Sequence, residues 1–188
     1  WWYDPETGFT PTAPIAVGGI AFLGGSDGIV RAIDMDTGAL KWKAYTGGAI
    51  RFPPVFWKDR LFVGSGDGFV YTFEAAGGRL LWRFRAAPVE RRIPVYGSLS
   101  STWPVAGGVV VEDGIVYAAA GIVNYDGVHV YALNAEDGSI VWQNNRSGHL
   151  KPDSRTGVSV QGHMLIQNGK LYLAGGTSLC RSRCLESC

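Results

Sequence analysis

The sequence has 188 residues, and 27 of them are glycine, roughly twice the average share of ~7%. Aromatic residues make up 12% and charged residues only 18%, which suits sheets joined by tight turns and excludes a helix bundle or a disordered chain. The 17 basic and 16 acidic residues leave a formal charge of +1, which argues against nucleic-acid binding, and no apolar run approaches the ~20 residues of a membrane span.

The chain begins Trp1-Trp2-Tyr3 without an initiator methionine, so we expect a processed, truncated or fragmentary chain. Residues 3–8 are similar to the turn that precedes the outer strand in the repeats described below. One option is that they pair with the C-terminal half-blade and close a small ring.

Four segments carry alternating apolar residues on both sides of a two-residue turn. Asp-Gly and Asn-Gly readily adopt the positive φ angles of type I′ turns, which match the twist of antiparallel strands. Each segment is therefore predicted to form a β-hairpin. The predicted hairpins span residues 15–23, 55–63, 109–117 and 164–173, with turns at Gly18-Gly19, Lys58-Asp59, Asp113-Gly114 and Asn168-Gly169.

Each of the first three hairpins is followed by a segment that begins with Asp-Gly and ends with tryptophan, at 27–42, 67–82 and 126–142. One hairpin and one segment together give four short antiparallel strands in about 40 residues. Such a sheet exposes both faces when it stands alone, so the units must stack on one another. The predicted fold is all-β, a β-propeller of four-stranded antiparallel blades that forms a partial or small ring.

The repeats divide the chain into a propeller, residues 1–176, and a tail, residues 177–188. The propeller consists of three blades, at 13–49, 50–88 and 108–148, and half of a fourth blade at 157–176. An insertion at 89–107 lies between the second and third blades. The tail holds Cys180, Cys184 and Cys188, in a spacing that matches no strong zinc pattern. Its abrupt change of composition indicates a non-native end or a flexible native tail, which are both favoured over a metal or redox site.

A motif lies at the end of each repeat, and its first copy, AIDMDTGALKW at 32–42, fits A-x-D-x-x-T-G-x-x-x-W. This pattern resembles the tryptophan-docking motif of the PQQ-binding-like (quinoprotein-like) β-propeller repeats. An indole is large enough to bridge adjacent blades, where it buries up to ~250 Å², so these tryptophans are interpreted as packing residues. The motif residues in the three copies are Ala32, Asp34, Thr37, Gly38, Trp42, Gly78, Trp82, Gly138 and Trp142.

The resemblance implies a ring of seven or eight blades, so a piece of a larger ring, or two chains that complete one ring, is favoured over a closed four-blade monomer. The family includes outer-membrane assembly lipoproteins as well as quinoprotein dehydrogenases. Within the first blade, strand alternation predicts that Arg31 lies on the face opposite Val30 and Ala32 and is exposed to solvent.

The insertion is the predicted contact site for a ligand or a partner. It contains Arg91, Arg92, Tyr96 and Trp103, and arginine side chains beside aromatic rings bind carboxylates and stack on planar groups. Long loops on a rigid scaffold often carry function. The alternative is that the insertion covers a sheet edge and that its arginines are solvated.

No catalytic residue and no metal site is predicted. The three histidines do not cluster, and the sequence lacks a nucleophile elbow, a phosphate-binding loop and a haem-attachment motif. The resemblance implies that PQQ enzymes would add a disulfide between adjacent cysteines and a set of calcium ligands. This sequence has no adjacent cysteines, so neither PQQ nor calcium is predicted to bind.

The sequence therefore predicts a non-catalytic, extracytoplasmic β-propeller of bacterial origin, periplasmic or extracellular, that binds or scaffolds an unknown protein or small molecule. Two alternatives stay open. One is a fragment of a PQQ-dependent (quinoprotein) dehydrogenase, with PQQ and calcium as its cofactors, and the other is a sensor domain of a larger protein. A homo-oligomer that completes the ring is also expected.

Overall fold

A computed structural model describes residues 8–95, 97–122, 126–145, 160 and 162–173, together with the backbone of 183–185. All regular structure in these ranges is β, arranged as three four-stranded sheets, one three-stranded sheet and one two-stranded hairpin. Over the same ranges, no helix is long and apolar enough to cross a membrane.

In each four-stranded sheet the strands lie in chain order, so every blade is an antiparallel meander. Blade 1 contains Ile15–Val17 (β1), Ile20–Leu23 (β2), Ile29–Asp34 (β3) and Leu40–Tyr45 (β4). Blade 2 contains Val55–Trp57 (β5), Arg60–Gly64 (β6), Phe69–Glu74 (β7) and Leu80–Arg85 (β8). The insertion forms Arg92–Val95 (β9) and Ser98–Ser101 (β10). Blade 3 contains Val109–Glu112 (β11), Ile115–Ala120 (β12), His129–Asn134 (β13) and Ile140–Asn144 (β14). The fourth sheet contains Leu165–Gln167 (β15), Lys170–Leu173 (β16) and Arg183–Leu185 (β17).

All four predicted hairpin turns have positive φ at both central residues, as type I′ turns require. The φ angles are 57° and 77° at Gly18-Gly19, and 48° and 79° at Asp113-Gly114. Lys58-Asp59, at 43° and 61°, adopts the same geometry without glycine. The predicted hairpins are therefore confirmed, and the two-residue turns set the register of the paired strands.

The hydrophobic cores lie between successive blades. The first core joins Phe22 and Val30 of blade 1 to Leu61 and Phe73 of blade 2. Phe62 points the other way and packs in the next core, against blade 3, because successive residues of a strand face opposite sides of the sheet. The first strands of neighbouring blades lie next to each other, β1 by β5, β5 by β11 and β11 by β15. The blades therefore stack around a centre lined by these strands.

In blades 1 and 2, the motif tryptophan reaches the turn of the following blade. The Trp42 indole N–H donates to the Ala75 carbonyl over 3.0 Å, and a Cβ on Gly78 would lie 2.6 Å from Trp42 Cε3. Trp82 repeats this contact, because its N–H donates to the blade 3 carbonyl of Ala135 over 3.3 Å. Glycine is needed in these turns because any side chain would occupy the space of the ring.

The three motif turns share one backbone conformation but differ in their side-chain hydrogen bonds. In the first copy, Asp34 Oδ1 accepts from the Thr37 N–H and hydroxyl, both over 3.0 Å. In the third copy, Asn134 Oδ1 accepts from the Glu136 N–H over 2.8 Å, and Asp137 Oδ1 accepts from the hydroxyl of Ser139, two residues later, over 2.6 Å. Different side chains therefore stabilise the same turn.

The prediction that Arg31 is exposed is wrong, because only 1% of its surface is accessible. Its Nη2 donates to Asp27 Oδ2 over 2.6 Å, and its Cζ lies 3.9 Å from the centroid of the Phe9 ring. The chain around Phe9 runs along blade 1, where the Thr12 N–H donates to the Gly24 carbonyl over 2.9 Å. Strand alternation placed Arg31 on the correct face, but this segment covers that face.

The ion pair also shifts the ionisation of its acid. Burial alone would raise the pKa of Asp27, but hydrogen bonds from Arg31 and from the Ile29 N–H outweigh it, so the pKa is lowered from its ordinary value. Asp27 is therefore a carboxylate at neutral pH, and the two opposite charges neutralise each other.

Candidate binding site at the insertion hairpin

Strands β9 and β10 form a hairpin that stands outside the repeat, and we call residues 92–101 the insertion hairpin. It is attached to the turn between β6 and β7 of blade 2. The Ser101 N–H donates to the Gly66 carbonyl over 2.8 Å, and the Ser100 hydroxyl donates to the same carbonyl over 3.1 Å. The hairpin therefore has a fixed position on the propeller.

Two of the predicted site residues meet at the base of the insertion hairpin. The Arg91 guanidinium lies 4.7 Å from the centroid of the buried Trp103 ring. Its Nε donates to Thr102 Oγ1 over 2.9 Å, and its Nη2 donates to Asp126 Oδ1 over 3.1 Å. The Trp103 indole N–H donates to the Asp126 carbonyl over 2.7 Å. These contacts fasten the insertion to blade 3.

The third predicted residue, Arg92, does not join this cluster. Arg92 pairs with Glu90, with Nη2 to Oε1 at 3.2 Å, and Tyr96 lies outside the described residues. Asp126 was not predicted as a site residue, although it is the aspartate that opens the third repeat segment. Ligand contact by Arg91, Arg92, Tyr96 and Trp103 stays a prediction.

A cavity of about 310 Å³ lies beside the insertion hairpin, and we call it the hairpin cavity. This volume is at the lower end of the range for small-molecule sites, about 300–1,000 Å³. It lies between the hairpin and the chain segments that lead into blades 2 and 3. The described residues that line it are Arg51, Phe52, Ile93, Val95, Ser100, Ser101, Thr102, Pro104, Ala106 and Ile122.

The lining is mostly apolar. Ser100, Ser101 and Thr102 each already make a hydrogen bond within the chain, and Arg51 is the one charged side chain among the described lining residues. The sequence indicated the insertion but not Arg51 or Ile122, because these two residues come from separate regions that no motif connects to it.

The hairpin cavity does not suit PQQ, which the family resemblance makes a candidate cofactor. PQQ enzymes of the family hold calcium with acidic and amide side chains, and calcium in general requires oxygen ligands. None of the described lining residues is Asp, Glu, Asn or Gln. Across the described ranges, no three His, Cys, Asp or Glu side chains lie close enough to hold a metal ion. The lining residues therefore do not fit PQQ with calcium.

A buried polar contact supports the blade 2 turn on which the hairpin rests. Asp67 is 3% exposed, and its Oδ2 accepts from the Tyr71 hydroxyl over 2.6 Å and from the Gly47 N–H over 2.9 Å. Burial, followed by the hydrogen bond and charge of Asp67, raises the pKa of Tyr71 to about 12. The tyrosine is therefore held neutral, and the contact ties blade 1 to blade 2.

We expect the protein to lose stability between pH 10 and pH 12 through this tyrosine. The folded pKa, about 12, lies above the ordinary value of about 10, so the contribution is complete below pH 10 and is lost as the pH rises to 12. Urea unfolding at pH 8, 10 and 12 measures the change, and Tyr71→Phe should lack this part of it. Tyr45→Phe, at a tyrosine that is 68% exposed, is the control. Equal losses in the wild type and in Tyr71→Phe would contradict the assignment.

The proteins similar to this chain include two curated relatives and a solved structure of a quinohemoprotein enzyme. The outer membrane protein assembly factor BamB of Bordetella pertussis is 30% identical over 117 residues, which cover 62% of this chain and 26% of that protein. The dehydrogenase subunit of the quinone alcohol dehydrogenase of Gluconobacter oxydans is 27% identical in an alignment of 142 residues, which covers 58% of this chain and 19% of that protein. The chain thus spans about a quarter and about a fifth of these curated relatives.

The quinohemoprotein alcohol dehydrogenase of Comamonas testosteroni superposes with a TM-score of 0.69 at 20% identity, over 88% of this chain and 29% of that structure. This likeness supports the β-propeller fold, and the predicted fold class is confirmed. The chain also matches the family described as outer membrane protein assembly factor BamB over residues 26–183. Because this match covers well over half of the chain, the chain belongs to that family of PQQ-like β-propeller repeats.

Proposed function

We propose that this chain is a non-catalytic binding module, part of an extracytoplasmic β-propeller that holds a protein partner at the insertion hairpin. The observation that supports this most is the hairpin itself, which lies outside the repeat and exposes apolar side chains. Ile93 is 42% exposed and Leu99 is 59% exposed. Ile93 pairs with Ser100, and Leu99 pairs with Pro94, so the two apolar side chains lie on opposite faces of the hairpin.

One of the two curated relatives supports a protein partner. The Bordetella pertussis relative is named for outer membrane protein assembly, and such work requires contact with other proteins outside the cytoplasm. We extend this kind of partner and this location to the present chain. Completion of the ring by a second copy of the chain stays a prediction.

A displayed library of random 12-residue peptides tests the proposal. We expect wild-type protein to enrich peptides whose binding falls at least tenfold in Ile93→Asp, because a charge on the hairpin removes an apolar contact. Ile140→Asp is the matched control, since Ile140 is 49% exposed but lies on the outer strand β14. If binding does not depend on Ile93, or if both variants lose it equally, the proposed site is wrong.

The quinoprotein dehydrogenase alternative is tested by adding PQQ and calcium to the protein. We expect the melting temperature to stay unchanged. A cofactor present at 100 times its Kd would add about 2.7 kcal/mol of stability, which is several degrees in a domain of this size. A saturable rise in melting temperature, or PQQ-dependent reduction of an electron-acceptor dye with alcohol, would favour the dehydrogenase.

A further inference from the structure

Arg51 has a fixed place at the edge of the hairpin cavity. On one side of it, Ile50 is buried, and the Ile50 N–H donates to the Gly25 carbonyl over 2.9 Å. On the other side, the Phe52 ring lies against His163, with ring centroids 5.4 Å apart. The neighbours of Arg51 in the chain are thus both anchored, while Arg51 itself is exposed.

The charge of Arg51 is not neutralised by the surrounding described residues. The ion pairs in the described part of the chain involve other arginines and a lysine, and no described lining residue is acidic. Arg51 thus differs from Arg91, which is bound to Asp126. A guanidinium in this position can form two parallel hydrogen bonds with one carboxylate.

The remaining cavity wall selects for an apolar group. Phe52, Ile93, Pro104 and Ile122 supply hydrocarbon surface, and the lining hydroxyls already have partners within the chain. Ile93 both lines the cavity and is exposed at its edge. A ligand that fills the cavity can therefore continue along the outside of the hairpin, as a polypeptide segment does.

We infer that the hairpin cavity binds an acidic segment of a partner protein, which inserts one large apolar side chain against Phe52 and Ile122 and places an adjacent carboxylate on Arg51. This inference rests on the proposed function and specifies the chemistry of the partner. Apolar burial supplies affinity, and the paired charge selects acidic partners over basic ones.

The test uses the full chain in three parallel selections from the same random peptide library, with wild type, Arg51→Glu and Arg85→Glu. Arg85 is the matched control, since it is an exposed arginine on β8 that does not line the cavity. We expect wild type and Arg85→Glu to enrich a large apolar residue with Asp or Glu within two positions. We expect Arg51→Glu to enrich Lys or Arg there instead. Circular dichroism and thermal melting check that each variant is folded.

Affinities then measure the effect for one selected acidic peptide. Arg51→Glu should weaken its binding at least tenfold, and changing the peptide carboxylate to an amide should weaken binding to wild type but not to Arg51→Gln. If binding of the selected peptides depends on Ile93, but Arg51→Glu selects the same peptide charges as wild type, this inference is wrong and the proposed function stands. If no selected peptide depends on Ile93, both are wrong.

Discussion

Replacing Trp42 by alanine is expected to lower the free energy of unfolding by about 3–5 kcal/mol, the range for large aromatic side chains removed from a core. The indole packs on Gly78 and against Phe22, and its N–H is bonded to the Ala75 carbonyl. Removal leaves a gap between blades 1 and 2 and a carbonyl without this donor. Urea unfolding followed by tryptophan fluorescence and circular dichroism measures the loss.

The matched control is Tyr45→Ala, on the same strand as Trp42. Tyr45 is exposed, so its removal should change stability by only about 0.5 kcal/mol. Trp42→Phe should fall between the two, since it keeps a ring but loses the hydrogen bond to blade 2. If Trp42→Ala and Tyr45→Ala have equal effects, the motif tryptophan does not anchor the blades.

Replacing Arg31 by alanine is expected to cost about 3 kcal/mol, the low end of the range for breaking a buried ion pair. The substitution removes the hydrogen-bond partner that lowers the pKa of Asp27, leaves its partly buried carboxylate unpaired, and empties the space against Phe9. The low end applies because Asp27 is partly exposed. The same unfolding experiment at pH 7 measures the effect.

The Arg79–Glu74 pair provides a control for the loss of a charge pair at the surface. Its closest atoms, Nη2 and Oε1, are 2.9 Å apart, but the Arg79 side chain is 67% exposed and that of Glu74 is 38% exposed, so Arg79→Ala should cost at most about 1 kcal/mol. Arg31→Ala should also lose less stability at pH 3 than at pH 7, because protonation of Asp27 removes the unpaired charge. If Arg31→Ala costs no more than Arg79→Ala, the buried pair contributes little.

The blades could be predicted from the sequence because their signals are local. A two-residue turn such as Asp113-Gly114 determines a hairpin by its own backbone preference, and the glycine and tryptophan of each motif lie four residues apart. The predicted sheets follow from these short-range features. Their stacking follows because a four-stranded sheet that stands alone would expose both of its faces to water. Even the loose second copy forms the same turn, because Gly78 provides the required conformation.

The environment of Arg31 and the hairpin cavity could not be predicted, because both depend on contacts between distant parts of the chain. Arg31 is covered by Phe9, which lies 22 residues earlier in the chain. No repeating pattern in the sequence predicts that the segment around Phe9 packs over this face of blade 1. The cavity combines Arg51, the insertion hairpin and Ile122. The insertion itself was identified as the candidate region, but Arg51 lies in an ordinary connection between blades.

The contact between a motif tryptophan and the next turn has a direction, and this direction affects what happens when the propeller is divided. If the chain were cut after blade 1, the Trp42 ring on the first piece would lose its contact with blade 2. The second piece, which begins with blade 2, would expose the Gly78 turn that this ring covers. The two cut surfaces are complementary but not identical, so they join head to tail. Copies of one piece would therefore assemble through heterologous contacts into rings or open chains rather than into two-fold dimers.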